Sequence, residues 1–268
     1  MARSLTEARE EILRIGMADP LYRGEAAWYP STHSAWERMT GMRYLFDPNN
    51  KFNIGEATFL KIYFKDILNE ILLKHFEGWA PDDDDDDAPS SLEIGEAIYG
   101  LLQHYHIPTN FIDLTTDIDI ATAFAIEGWA CLQKGQLKNG QLFVVDRRQF
   151  VVEGGYFIDN AHGVSKRPRI QSAVPFFVPA GLDFQQLPER VVRKVKFSAT
   201  PDECERYARP EIYDASDDDA AHMVASIISK HATRAPAFAE FDGAVLVHLR
   251  QIVERFEQAG VNMNAEEA

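Results

Sequence analysis

Leu101-Leu102-Gln103-His104-Tyr105-His106-Ile107-Pro108-Thr109-Asn110-Phe111-Ile112-Asp113-Leu114-Thr115-Thr116 brings a helix end, a turn and a strand into one short segment. Upstream, Ser90 with Glu93 three residues on has the spacing of a capping box, and Ile94, Ala97, Ile98, Leu101, Leu102 and Tyr105 trace one helical face. Gln103 and His104 therefore fall at the C-terminal end of that helix. Pro108 ends it, Phe111 and Ile112 read as a brief extended piece, and Thr116 with Asp119 is expected to cap a new helix through Ile120, Ala123, Phe124 and Glu127. Polar groups thus cluster at the mouth of that last helix, a density unusual for a segment that only packs.

Working outward, residues 5–15 predict a short amphipathic helix, which Pro20 breaks before an extended Leu21-Tyr22-Arg23. Gly24 follows, a residue that lets the backbone approach a neighbour closely. Residues 57–76 place Phe59, Ile62, Tyr63, Ile67, Ile71 and Leu72 on or near one helical face, which assigns that helix to the core. The acidic run 82–87 lies within a loop spanning 80–91. It cannot bury itself, repels itself into an extended chain, and lacks the glycine and terminal glutamate of a calcium loop. Strands are expected at 141–146, 176–178 and around Val195 and Phe197, with a hairpin over 151–157 about Gly154-Gly155. Two helices, 218–231 and 243–257, carry apolar stripes and make residues 215–268 a helical closure. These helices and strands are read as an α+β fold within a single domain over 1–268.

With 268 residues of which 46% are hydrophobic, the chain can bury a sizeable core. Its formal charge of -15 argues against a nucleic-acid groove, since phosphate neutralisation needs clustered Lys and Arg. A local basic patch at Arg190, Arg193, Lys194 and Lys196 remains compatible with that balance. Two cysteines, Cys131 and Cys204, and no run of 18 apolar residues lead to the expectation of a cytoplasmic protein without membrane contact. Cys131, on an apolar tail, is expected to be buried and inert. Cys204, among Asp202, Glu203 and Glu205, is expected to have a raised pKa.

Tyr22-Arg23-Gly24, Pro30-Ser31-Thr32, Gln103-His104-Tyr105, Pro108-Thr109, Asp113-Leu114-Thr115 and the stretch from Ala121 to Phe124-Ala125 together resemble the FRG-domain family, over residues 22–177 or so. This is a widespread bacterial and phage module. Tyr22 stands where the family has phenylalanine, and Asn110 where it usually carries arginine. An arginine on an early strand, a Thr-Thr at the entrance of an Ala-rich helix and a later strand with a polar acceptor are also similar to the arginine-type ADP-ribosyltransferases. That second resemblance implies a split central β-sheet with flanking helices, NAD as substrate, and a setting as a toxin or in antiphage defence. By position it implies that Arg23 grips the pyrophosphate or ribose and that Thr115 or Thr116 holds the nicotinamide ribose. Gln171 would stand where a glutamate orients the ribose hydroxyl. His104 would contact ribose or nicotinamide, and Tyr22, Gly24, Gln103, Thr109 and Asp113 would complete the nucleotide site.

A neutral amide hydrogen-bonds a hydroxyl but does not stabilise a developing cation, so transfer chemistry would draw on another carboxylate, with Asp113, Glu25 and Glu153 as candidates. Plainer roles stand beside these. Arg23 can pair with Asp113, His104 can cap its helix end, and Thr115 or Thr116 can be a helix cap. His104 and His106 at i, i+2 offer a metal pair with no third ligand placed by spacing. Two functions follow: an NAD-linked ADP-ribosyltransferase or NAD hydrolase acting on a protein target or water, or a non-catalytic nucleotide-binding or protein-interaction module.

Overall fold

The computed structural model describes residues 3–34, 103–104, 111–133, 135–152, 156–157, 166–177, 183–234 and 252–261. The helix over 57–76, the acidic loop, Thr109 and Glu153 lie outside the described residues. The chain groups into two compact units, one of residues 1–34, 110–159 and 169–212, the other of 35–109, 160–168 and 213–268.

The first unit is built on one continuous six-stranded sheet. Its strands are β1 (Pro20–Glu25), β2 (Phe111–Thr115), β3 (Lys138–Asp146), β4 (Tyr156–Phe157), β5 (Ala173–Phe177) and β6 (Val192–Ala199), in the order β4-β5-β2-β1-β3-β6. Every pairing is antiparallel, with Arg23 opposite Phe143, Glu25 opposite Gln141 and Tyr22 opposite Thr115. The α+β class holds; among the described residues the sheet is one open body rather than the split sheet implied by the resemblance.

Strand alternation gives the sheet two apolar faces. On one, Tyr22, Leu142, Val144, Val195, Phe197 and Ala199 pack with Leu5, Ala8 and Ile12 of α1 (Leu5–Arg14) and with Ala121 and Ala125 of α2 (Ile118–Ala125). On the other, Leu21, Ile112, Leu114, Phe143, Val145 and Phe176 pack with Phe150 and Phe184. Phe176 meets Phe150 and Phe184 edge to face, at centroid distances of 3.8 and 5.8 Å.

α1 starts where Ser4 and Glu7 form a reciprocal capping box. α2 is capped by Asp117, not Thr116: Asp117 accepts from the Asp119 amide, whereas Thr116 gives its own amide to the Ser172 carbonyl and is exposed. An aspartate one residue later supplies the same acceptor, so the helix starts a residue further on. Among the described residues of the hairpin expected over 151–157, 151 and 152 are helical instead. Asp146 accepts from the Gln149 amide and starts a helix, α3 (Arg147–Val152), which buries Phe150, and β4 pairs with β5 instead. A short helix, α4 (Lys166–Ile170), precedes β5, and α5 (Pro201–Tyr207) follows β6.

In the second unit, α6 (Asp219–Arg234) begins at Asp218, whose Oδ1 accepts from the Ala220 and Ala221 amides at 3.1 and 3.4 Å and whose Oδ2 accepts from the Arg167 amide at 3.0 Å. Val224, Ile227 and Ile228 of α6 are buried, as are Ile252 and Phe256 of the helical residues 252–258.

Two positions tie packing to sequence. An added Cβ at Gly24 would lie 1.7 Å from the Ala121 carbonyl oxygen and 2.7 Å from the Ala125 nitrogen, so β1 and α2 touch backbone to backbone. A Cβ at Gly140, on the adjacent strand, would lie 2.5 Å from the Ala125 oxygen. Because backbone cannot rotate away, Gly24→Ala is expected to cost at least ~3 kcal/mol, the upper end of ordinary overpacking. Gly16→Ala, with nothing within 4 Å of its Cβ, should stay within about 0.5 kcal/mol; urea midpoints of the two variants check both.

Glu203 links the first turns of α1 and α5: its carboxylate accepts from the amide and hydroxyl of Thr6 and from the amide and hydroxyl of Thr200. Burial alone would push its pKa up, but these hydrogen bonds outweigh it and hold the carboxyl below its ordinary 4.5. A depressed folded-state pKa contributes stability that is fully present above 4.5 and is lost as pH falls through the lower, folded value. The stability gap between wild type and Glu203→Gln should therefore be constant from pH 6 to 8 and shrink below about pH 4, as read from melting temperatures across that range.

Candidate functional site

Arg23 and Glu25 are two residues apart on β1 and so project from the same face of the sheet, the one that carries Phe143. The Arg23 Nε donates to Glu25 Oε1 at 3.1 Å and its Nη1 to the Asp113 backbone carbonyl at 2.9 Å. Those two bonds fix the plane of the guanidinium. Its Nη2 edge makes no hydrogen bond to a described residue, and 19% of the side chain is exposed.

Glu25, at 6% exposure, is held on all sides. Oε1 also accepts from the Thr32 hydroxyl at 2.8 Å, and Oε2 accepts from Gln141 Nε2 at 2.6 Å. Gln141 is fully buried on β3, and its Oε1 has no hydrogen-bond partner among the described residues. Thr32 is in turn fixed by its amide, which donates to Asp183 at 3.0 Å, while its hydroxyl accepts from Gln185 Nε2 at 2.9 Å. Gln185 also donates to the Tyr29 carbonyl and accepts from Lys194 Nζ at 2.7 Å. A buried carboxylate with this many charge-assisted partners is a rigid support for the arginine it faces.

The remaining expected site residues lie elsewhere. Tyr22 and Thr115 oppose each other across β1 and β2, on the sheet face away from Arg23. Tyr22 packs in the apolar cluster with α2, where burial pushes its phenol pKa up. Gly24 is in backbone contact with α2. Thr115 donates its hydroxyl to the Gln171 carbonyl at 2.8 Å and accepts from the Asp117 amide at 3.0 Å. Gln171, 4% exposed, gives its amide to the Ile212 carbonyl at 2.8 Å. The turn that presents the Gln171 carbonyl includes Ser172 at φ 45°, a left-handed backbone that a side chain rarely adopts. The structure thus joins Thr115 to Gln171 but does not bring either to the face that carries Arg23. Asp113 meets Arg23 through its main-chain carbonyl, where a carboxylate pairing was expected. Gln103 and His104 belong to the second unit, with His104 buried.

Gln141, Gln185 and Asp183 escaped the sequence reading, since a lone Gln on an apolar strand and a polar loop carry no motif. The i, i+2 spacing of Arg23 and Glu25 was the available signal, because it places a cation and a carboxylate on one strand face. The Cys204 pKa is raised as expected, to about 11, by burial first and by Glu203 second, with Lys138 acting against them. Cys131, in contrast, is exposed: α2 ends at Ala125, Gly128 at φ 75° turns the chain out, and Trp129–Cys131 is a separate short turn.

Residues 20–131 match the family model of the FRG domain. No curated protein and no solved structure matches the chain. The matched residues include β1, Thr32, β2 and α2, and stop short of Gln141 and Gln171. Among the described residues no helix is long and apolar enough to cross a membrane.

Replacing Gln141 by Leu leaves Glu25 Oε2 buried without a donor. The expected loss is ~1–3 kcal/mol of stability, the cost of an unsatisfied buried acceptor. Gln141→Glu instead opposes two carboxylates, which raises their folded-state pKa values, so that variant should gain stability relative to wild type as pH falls from 8 to 5. Denaturant titrations at the two pH values read both effects.

Proposed function

We propose that the FRG domain of this chain binds an NAD-like dinucleotide at Arg23 and releases its nicotinamide, passing ADP-ribose to a protein acceptor or to water. The observation that carries this reading is the guanidinium held on two sides, by Glu25 and by the Asp113 carbonyl, with its Nη2 edge left open. A pre-oriented, partly exposed arginine fork suits a pyrophosphate, because little freedom is lost when the phosphate arrives. The early-strand arginine of the transferases that the sequence resembles has that same task.

In the reaction, the bond between ribose C1′ and the nicotinamide nitrogen breaks with its electron pair going to nicotinamide. The acceptor oxygen forms the new bond to C1′ and loses its proton. Glu25, paired with Arg23, is the carboxylate on this face that suits the charged work, stabilising the cationic ribose and taking that proton. Thr115 and Gln171 then act by fixing the turn between β2 and α2, since their polar groups are bonded to backbone. A toxin or antiphage role is the biological setting that the family resemblance suggests.

A second reading, nucleotide binding without turnover, draws support from Glu25 itself, both of whose oxygens are already engaged. Incubation of the purified chain with NAD and separation of the products decides between them. Released nicotinamide that is lost in a Glu25→Gln variant that still folds is the expected result. Arg23→Ala should weaken NAD binding about 10- to 100-fold, the scale of hydrogen bonds to a charged group of ~1.5–3 kcal/mol. Binding without release would leave only the second reading. An NAD affinity that Arg23→Ala does not change would remove both.

A further inference from the structure

Beside Arg23 on the same face, the sheet ends in exposed aromatic rings and lysines. Lys194 lies opposite Phe143 and Lys196 opposite Gln141, so both lysines share the face of Arg23 and Glu25. Trp28, 42% exposed, is anchored by its indole nitrogen, which donates to the Gly140 carbonyl at 2.9 Å and to the Phe197 carbonyl at 3.1 Å. Lys196 Nζ stands 5.8 Å from the centre of that ring. Tyr29, next in the chain, is 49% exposed, and its carbonyl is held by Gln185, which also binds Lys194. From strand spacing and rise, Arg23 and Lys196 are about 10 Å apart across the sheet and about 7 Å along it.

We propose that Trp28 and Lys196 seat the adenine end of the nucleotide, with Lys194 and Arg23 directed at its phosphates. This rests on the nucleotide reading above and adds to it which end of the dinucleotide lies here. An immobilised indole is a stacking platform for any base, and it loses little freedom on binding because its N–H is already fixed. Charge selects the end: the nicotinamide ring of NAD is cationic and is repelled by two lysines, whereas adenine is neutral and carries its phosphates toward them. In a chain of net charge -15, a local group of Arg23, Lys194 and Lys196 also gives an anionic ligand one favoured place to land.

Equilibrium dialysis of the full chain against AMP, adenosine, inorganic phosphate and nicotinamide mononucleotide tests this. AMP should bind more tightly than the other three. Trp28→Ala should weaken AMP about tenfold or more, the range of base–aromatic stacking, while Trp28→Phe keeps most of the affinity. Lys196→Met, which leaves both indole hydrogen bonds intact, should weaken AMP more than adenosine. If Trp28→Ala does not melt like wild type, Lys196→Met and Trp28→Phe carry the decision. AMP binding no tighter than inorganic phosphate, or unchanged within twofold in Lys196→Met, overturns the proposal. Trp28-dependent AMP binding without nicotinamide release sinks the catalytic reading and leaves this seat standing. Nicotinamide release whose KM for NAD is the same in Trp28→Ala sinks the seat alone.

Discussion

The backbone of α2 rests directly on β1 at Gly24, with no side chain between them. That contact sets the geometry of everything around it. A helix that touches a strand at main-chain distance needs small residues of its own, and α2 presents Ala121 and Ala125 there, while Gly140 leaves the same room on β3. With one face of β1 committed to this packing, Arg23 and Glu25 are turned to the other face by the two-residue period of the strand. The tyrosine and glycine of the Tyr22-Arg23-Gly24 triplet thus pack against α2, and the arginine between them projects from the opposite face of the sheet.

The polar end of that second face is a support for one cation. Glu25 is buried at 6% and spends both oxygens, yet its position is tolerable because Arg23, Thr32 and Gln141 each supply a donor. The network continues through Gln185 to Lys194, so a loop, β1, β3 and β6 are all joined by side-chain bonds. Such a network is rigid only while every member is satisfied, which makes its weak point Gln141 Oε1, which has no partner among the described residues.

Thr115 and Gln171 are engaged with backbone near the start of α2. The Thr115 hydroxyl joins the end of β2 to the Gln171 carbonyl and to the Asp117 amide that opens α2. The helix held by these bonds is the one that packs on Gly24, next to Arg23 in β1.

Periodicity and breakers were enough to place α1, β1, β2, β3, β5, β6 and α6, because each has a clear apolar repeat or a proline or aspartate at its edge. The arginine, the glycine that must stay small and the raised pKa of Cys204 were likewise readable from neighbouring residues. The helix of α3, the exposure of Cys131 and the cap at Asp117 were not, since each turns on a one- or two-residue choice between acceptors that local pattern leaves balanced. Which groups meet across strands was decided only by strand register: it set Glu25 against Gln141 and Tyr22 against Thr115, and a shift of one residue would have put a different side chain opposite Glu25. A linear pattern fixes what each strand buries, but the partner across the ladder comes from contacts distant in the chain.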